Sequence, residues 1–561
     1  MNADRLLTLY EHIADAPDAV ARLRRFVLDL AVRGKLVPQD PGDRPATFGK
    51  RGRQVELPDP PFILPGGWCW SEFGAIATFE NGDRGKNYPN RAEYVEKGIA
   101  WINTGHILPD GSLSLTAMNY ITRQKFDSLG GGKIRPGDLL YCLRGATFGK
   151  TAFVEPFVEG AIASSLMIIR LGPVLDRRFA YIYLTSPLGK LQLMRFNNGT
   201  AQPNLSSGSV KKYLVPLPPL AEQRRIVAKV DELMGLCDRL EEARTRREAH
   251  RARLTTASLS RLTAPDTDAQ TFQTHARFAL DALPALTTRP DQIKALRQTI
   301  LNLAVRGKLV EQNPRDEPAH EMLERISVAN PRVGLAVVNQ TSEPPFDPPP
   351  GWRWTTLGAL VLHSDAGWSP RTENHERQGD TWGVLKVSAV SWDRFNPTAN
   401  KQVLPGTEPR RQAQVHGGDF LISRANTAEL IARAVIVEEQ PINLMMSDKI
   451  VRLRLVEDCN QSFILMVNNA ADFARNYYAD KASGVSPSMK NVSRNVILDL
   501  PLPLPPLAEQ RRIVKKVDDL MALCDRLEAS LATADTTRRR LLEALLHEAL
   551  EPADNTLAAA Q

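Results

Sequence analysis

Apolar residues recur along this chain in two rhythms that keep to separate stretches. After the prolines at 216–219, Ile226, Val230, Leu233, Cys237 and Leu240 follow in steps of four and three. The same steps run through Ile513, Val517, Leu520, Cys524, Leu527 and Leu531, and resume at Leu541 and Leu545. A seven-residue apolar repeat puts a narrow seam on one helix face, which suits coiled-coil pairing; core packing within one bundle leaves the same stripe. We read the seams as long paired helices, because the chain beyond Arg239 turns polar. Prolines set the start, since they precede a helix but do not sit inside it. Val20, Leu23, Val27 and Leu30, and again Ile293, Leu296, Ile300 and Leu303, predict two shorter helices. Gly34 and Gly307 suit their ends, and Asp18 and Asp291 stand where an N-terminal carboxylate is favoured.

Between these helices, 58–215 and 345–502 carry short apolar or alternating runs such as GIAWI, LLYCL, AIASSLMIIRL, ARAVIVEE and KIVRLRL, punctuated by Gly, Pro and Asn. Such runs predict strands and turns, so each filling reads as an α+β domain of about 150 residues. All eight tryptophans lie in these fillings. Residues 264–290, polar and Pro-containing, read as a linker. The expected order is a helical segment (1–57), a domain (58–215), a long helix (216–263), linker plus repeated helical segment (264–344), a second domain (345–502) and a second long helix (503–561).

The order is written twice. PLPPLAEQRRIV stands at 216–227 and again at 503–514, and the extended phrases 216–241 and 503–528 match at 23 of 26 positions. LAVRGKLV occurs at 30–37 and 303–310, GWCW at 67–70 beside GWRW at 351–354, and PGDLL at 136–140 beside GGDFL at 417–421. The fillings diverge between these marks. One internally duplicated scaffold presenting two different surfaces accounts for both facts.

Composition narrows the class. The chain has 561 residues, 43% of them hydrophobic and 24% charged, with a formal charge of +7. That surplus suits a polyanionic partner without requiring one. The five cysteines show neither CxxC spacing nor a neighbouring His/Cys cluster, which argues against a zinc site and a disulfide framework. We see no signal peptide and no stretch of the roughly 20 apolar residues that a membrane span needs, so a cytoplasmic location is expected.

Two motifs suggest catalysis and fall short of it. DPPF at 59–62 fits the Asp-Pro-Pro-aromatic signature of amino-methyltransferases, but the equivalent place in the second half reads DPPP (347–350), and no Gly-rich nucleoside loop lies near either. GATFGKT at 145–151 is one residue short of a phosphate-binding loop. We expect no catalysis by this chain.

The polar loops offer another chemistry. The first domain presents Arg84, Lys86, Asn87, Tyr88, Asn103, Thr104, His106, Arg144, Thr147, Lys150, Asn198, Thr200 and Gln202. The second presents Trp368, Ser369, Arg371, Lys386, Ser388, Trp392, Arg424, Asn426, Thr427, Lys481, Ser486 and Lys490. Arg, Lys, Asn and Gln pair with purine edges in a major groove, and Ser, Thr and Lys serve phosphates. Two unlike readers on one frame match a two-part DNA site. A helix of about 40 residues spans roughly 60 Å, enough to set half-sites roughly 34 Å apart.

Paired PLPPLAEQRRIV phrases, each closing a variable domain and opening a long helix, resemble the specificity subunit of type I restriction–modification systems. The LAVRGKLV and GWxW marks extend the resemblance over essentially the whole chain. It implies two target recognition domains, each reading one half of a bipartite double-stranded DNA site. Long antiparallel coiled-coil-like helices then set the spacer and dock two modification subunits. Those partners would carry S-adenosylmethionine, and a restriction motor-nuclease would use ATP and Mg; no cofactor is expected on this chain. Glu222, Arg225 and Asp231, repeated as Glu509, Arg512 and Asp518, are candidate partner contacts. Arg251, Arg253, Arg538 and Arg540 stand where spacer phosphates or solvent would meet them. A protein scaffold without DNA, or a stand-alone methyltransferase, remains the alternative.

Overall fold

A computed structural model describes residues 16, 18–46, 60–145, 148–197, 204–262, 269–329, 344–391, 394–484, 489–548 and 550. The chain divides into two compact units, 1–247 with 535–561, and 248–534.

In the first unit a helix, Ala19–Val32, ends at Gly34, whose φ of +68° permits the Lys35 amide to reach back to the Leu30 carbonyl. A Cβ at Gly34 would stand 2.4 Å from Pro65 and 3.0 Å from Trp68, so glycine is required by both conformation and space. A four-stranded antiparallel sheet follows in the order 77–81, 166–171, 139–142, 151–153. A three-stranded sheet runs 119–121, 99–102, 160–162, its last pair parallel. Strands 69–72 and 214–217 pair antiparallel, so the domain's entrance and exit meet. The long helix Leu220–Leu262 begins directly afterwards.

The larger sheet is covered on both faces. Leu139, Tyr141, Met167 and Ile169 enter one core, and Leu140, Cys142, Leu166 and Ile168 the other. Unbroken apolar runs such as LLYCL are the consequence of that double burial.

The second unit repeats the plan. Helix Pro290–Val305 ends at Gly307, whose φ is +67°. The larger sheet runs 361–366, 450–455, 420–423, 434–436, and the smaller 400–402, 383–385, 444–445. Strands 353–356 and 501–504 close the domain ahead of helix Leu507–Glu548. The expected α+β class, long helices and internal repeat are all present.

Three expectations are corrected. The linker 264–290 holds a helix, Ala269–Leu286, followed almost at once by the Pro290 helix; its polar composition reflects exposure, not absence of structure. The first half of each seam is filled by its own domain. Ile226 and Val230 share a core with Trp68 and Phe179, and Ile513, Val517 and Cys524 share one with Trp352 and Phe463. The later turns find other helices: Leu542 and Leu545 pack on Ala16 and Ala19 in the first unit, and Leu259 and Leu262 on Ala279 and Leu303 in the second.

The third correction concerns DPPF. Its counterpart is Pro344-Pro345-Phe346, not the DPPP that follows. Phe62 packs on Trp70 and beneath Arg33, as Phe346 does on Trp354 and beneath Arg306. The aromatic residue therefore closes the domain entrance; Asp59 lies outside the described residues. GATFGKT ends at Thr151, where strand 151–153 begins, so no helix follows it; Ala146 and Thr147 lie outside the described residues.

Candidate nucleic-acid interface

The duplicated phrase explains itself first. Glu222, 1% exposed, accepts from Trp68 Nε1 at 2.9 Å and from Gln39 Nε2 at 2.8 Å. Gln223 accepts from the Asp176 amide and donates to the Val174 and Pro218 carbonyls. Arg225 pairs with Asp43 at 2.7 Å. In the second copy Gln312 donates to Glu509, Gln510 bridges the Asn460 amide and the Pro505 carbonyl, and Arg512 pairs with Asp316. Arg24 clasps Asp238 and Glu241, as Arg297 does Asp525 and Glu528.

This lock removes most of the expected partner contacts. Glu222 and Glu509 face inward, where burial pushes both carboxyls up and the hydrogen bonds of Trp68, Gln39 and Gln312 oppose the rise. Arg225 and Arg512 are committed to their own unit's aspartates. Asp231 is held by Arg178 at 2.8 Å, whereas the position matching Arg178 is Ser462, leaving Asp518 exposed. Sequence reasoning missed the lock because most of its partners lie about 50 to 230 residues away.

Other duplicated side chains stay outside. Arg224 and Arg511, Leu236 and Leu523, and Arg239 and Arg526 are exposed and identical in the two copies. Leu236 is 45% and Leu523 51% exposed. The three differences between the phrases, at 228, 232 and 235, fall on the same half-exposed or exposed surface.

The candidate reading loops converge at one end of each domain. In the first, Gly82 N–H meets the Leu166 carbonyl, and Ala163 N–H the Ile102 carbonyl. Leu143 N–H meets the Ser165 carbonyl, and Leu205 N–H the Leu143 carbonyl. This chain of bonds draws together the loops that begin at Asp83, Asn103, Arg144 and Asn204. Gly82 passes so close that a Cβ would lie 2.4 Å from the Ala163 carbonyl oxygen. In the second domain Gly367, Arg424 and Val492 make the matching bonds to Ile450, Lys449 and Arg424. A Cβ on Gly367 would meet the Ser447 carbonyl oxygen at 2.1 Å.

Within these clusters the expected residues part company. Arg84, Lys86, Tyr88, Arg144, Ser369, Arg371, Lys386, Ser388 and Lys481 are exposed; Thr104, Trp368, Arg424, Asn426, Thr427 and Lys490 are half-buried. Asn426 and Lys490 face each other across a two-residue strand pair. Asn87 is spent on the Ser128 carbonyl, Lys150 on that of Ile107, and Asn103 on the Gly105 amide. His106 is corrected outright: it is 4% exposed, accepts from the Asn103 amide, and burial holds its pKa low. It shapes the turn instead of facing a ligand. Thr147, Asn198, Thr200, Gln202, Trp392 and Ser486 lie outside the described residues.

Arg144 and Arg424 are not equivalent. Arg144 stands opposite Asn204, the place that Ala425 holds opposite Asn491. Arg424 instead matches the buried Leu143, one residue earlier. A one-residue step along a strand turns a side chain to the other face, so the two arginines serve different surfaces. Asn204, whose Oδ1 accepts from Arg144 Nε at 3.0 Å, was not anticipated.

A family model described as the type I restriction modification DNA specificity domain matches residues 65–249 and 361–533. The chain belongs to this family. It is 30% identical to the EcoEI type I restriction enzyme specificity subunit of Escherichia coli, over 95% of this chain and 94% of that protein. The EcoAI specificity subunit of Escherichia coli is 26% identical over the same shares. A chain from a structure of type I restriction–modification complex assembly shares the fold, with a TM-score of 0.50 and 21% identity. That match covers 87% of this chain and 99% of the other. This specificity subunit therefore carries the recognition role, and its two matched segments coincide with the two loop-bearing domains and the helices they open. Among its described residues, no helix is long and apolar enough to cross a membrane.

Proposed function

We propose that each domain reads one half of a bipartite double-stranded DNA site, and that the duplicated helices dock two modification subunits and set the spacer between half-sites. The carrying observation is the pair of convergent loop clusters: the same backbone bonds support different side chains twice. Two copies of one partner need two equal docking frames, and two unlike half-sites need two unlike readers. Arg224, Leu236 and Arg239, with Arg511, Leu523 and Arg526, are the frame residues free to meet such a partner, in place of the inward glutamates. In this reading S-adenosylmethionine belongs to the modification partner, ATP and Mg to a restriction partner, and the complex works in the cytoplasm.

The test is modified-base sequencing of host DNA with and without this chain, its partners being expressed in both. Loss of methyladenine from one gapped motif supports the reading and names both half-sites. An unchanged map favours a scaffold that binds no DNA.

A further inference from the structure

The second domain holds a feature that its loop composition does not reveal. Arg410 lies over the ring of Trp368, its guanidinium carbon 4.4 Å from the centroid, and Arg411 lies 5.1 Å from that of Trp382. Both tryptophans back onto one small core of Val384, Val403, Ala413 and Met445. Both arginines are exposed, and among the described residues no carboxylate pairs with either.

The pair belongs to the loop cluster. Trp368 N–H donates to the Met446 carbonyl, and Met446 N–H to that of Ala413, which fixes the tryptophan and the arginine segment to one strand end. Three residues on, the Lys449 carbonyl takes the Arg424 amide at 2.7 Å. A guanidinium held over an indole face keeps N–H groups open to an acceptor, while the contact with the ring limits its freedom. That presentation suits the O6 and N7 of guanine.

Among the described residues of the first domain no arginine lies over a tryptophan ring. The residue after Gly82, matching Trp368, is Asp83, whose carboxylate is occupied by the Gly85 and Gly130 amides. The geometry points to Arg410, positioned by Trp368, as a guanine-reading residue for the half-site of the second domain alone. This rests on the DNA-reading function proposed above.

The experiment uses the full chain with its modification partners, on duplexes carrying the mapped motif with each base pair changed in turn. Arg410→Ala is expected to lower discrimination at one G·C pair by roughly 10- to 100-fold and leave the other half-site unchanged. Trp368→Leu should relax the same base pair, and the double variant should do little more than either. Retained reading of the other half-site shows that the variants fold. A weakening equal for all sequences, with a shallower salt dependence, would make Arg410 a phosphate contact and overturn the assignment. Unchanged discrimination, or a half-site without any G·C pair, would also overturn it. If the wild-type complex marks no motif at all, the parent reading fails instead.

Discussion

The frames and the loops both occur twice, yet they are repeated at different levels. In the frames the side-chain contacts themselves recur: Gln39 on Glu222 and Gln312 on Glu509, Arg225 on Asp43 and Arg512 on Asp316. In the loops only the backbone recurs. Gly82 and Gly367 squeeze past the same carbonyls, but the residues that follow are Asp83 and Trp368. A support that holds the same load twice keeps its chemistry. A reader keeps its geometry and changes its letters.

The largest test of that contrast is the buried glutamine of the lock. Gln223→Ala strands the Asp176 amide and two carbonyls, and should cost about 2–4 kcal/mol in urea denaturation. Gln510→Ala should cost somewhat less, with two partners in place of three. A loss below about 0.5 kcal/mol at both would mean that the lock does not hold the frame.

Next come the readers. Arg144→Ala should weaken discrimination in one half-site and Arg410→Ala in the other, by about 1–3 kcal/mol for each base that is no longer read. Binding to singly substituted duplexes checks this; effects in the same half would end the assignment of one domain to one half. Leu236→Asp and Leu523→Asp sharpen the comparison from the frame side. Each should loosen one modification partner by about 1–2 kcal/mol, with native mass spectrometry showing one partner missing in either single variant and two in the double. An unchanged stoichiometry would move the docking face elsewhere.

The smallest effect concerns pH. Burial, the largest influence, raises Glu222 and Glu509 above the usual glutamate value of 4.5, so the folded chain holds these protons more tightly than the unfolded one. Stability should therefore fall as pH rises from about 4.5 through the raised values. Glu222→Gln together with Glu509→Gln should flatten that slope in denaturation midpoints; a slope unchanged by the pair would place its origin in other groups.

Much of the fold was legible because its signals are local. The 4-3 rhythm at Ile226 to Leu240, the helix-ending Gly34 and Gly307, and the strand runs LLYCL and KIVRLRL all depend on near neighbours along the chain. The helix Ala269–Leu286 was missed because Pro265, Pro284 and Pro290 read as linker punctuation, although Phe272, Ala276 and Ala279 carry an apolar stripe to Leu259 and Leu262. The site was less legible. Loop chemistry pointed to Arg144, Arg424 and Trp368, but composition does not separate an asparagine spent on backbone, as Asn87 and Asn103 are, from one facing outward. Nor does it reveal Arg410, whose interest lies wholly in the ring beneath it.

By itself the sequence determined the duplication, the order of frame and filling, and the family, because repeated phrases and periodicities survive without knowledge of contacts. Tertiary structure decided what each repeated residue does. Glu222 and Arg225 sit on the outer turns of a sequence motif yet meet Trp68, Gln39 and Asp43 from far along the chain, and burial among them turns apparent docking residues into a lock. It also decided which way each reader points, since one residue of strand register separates the exposed Arg144 from the place that Arg424 occupies.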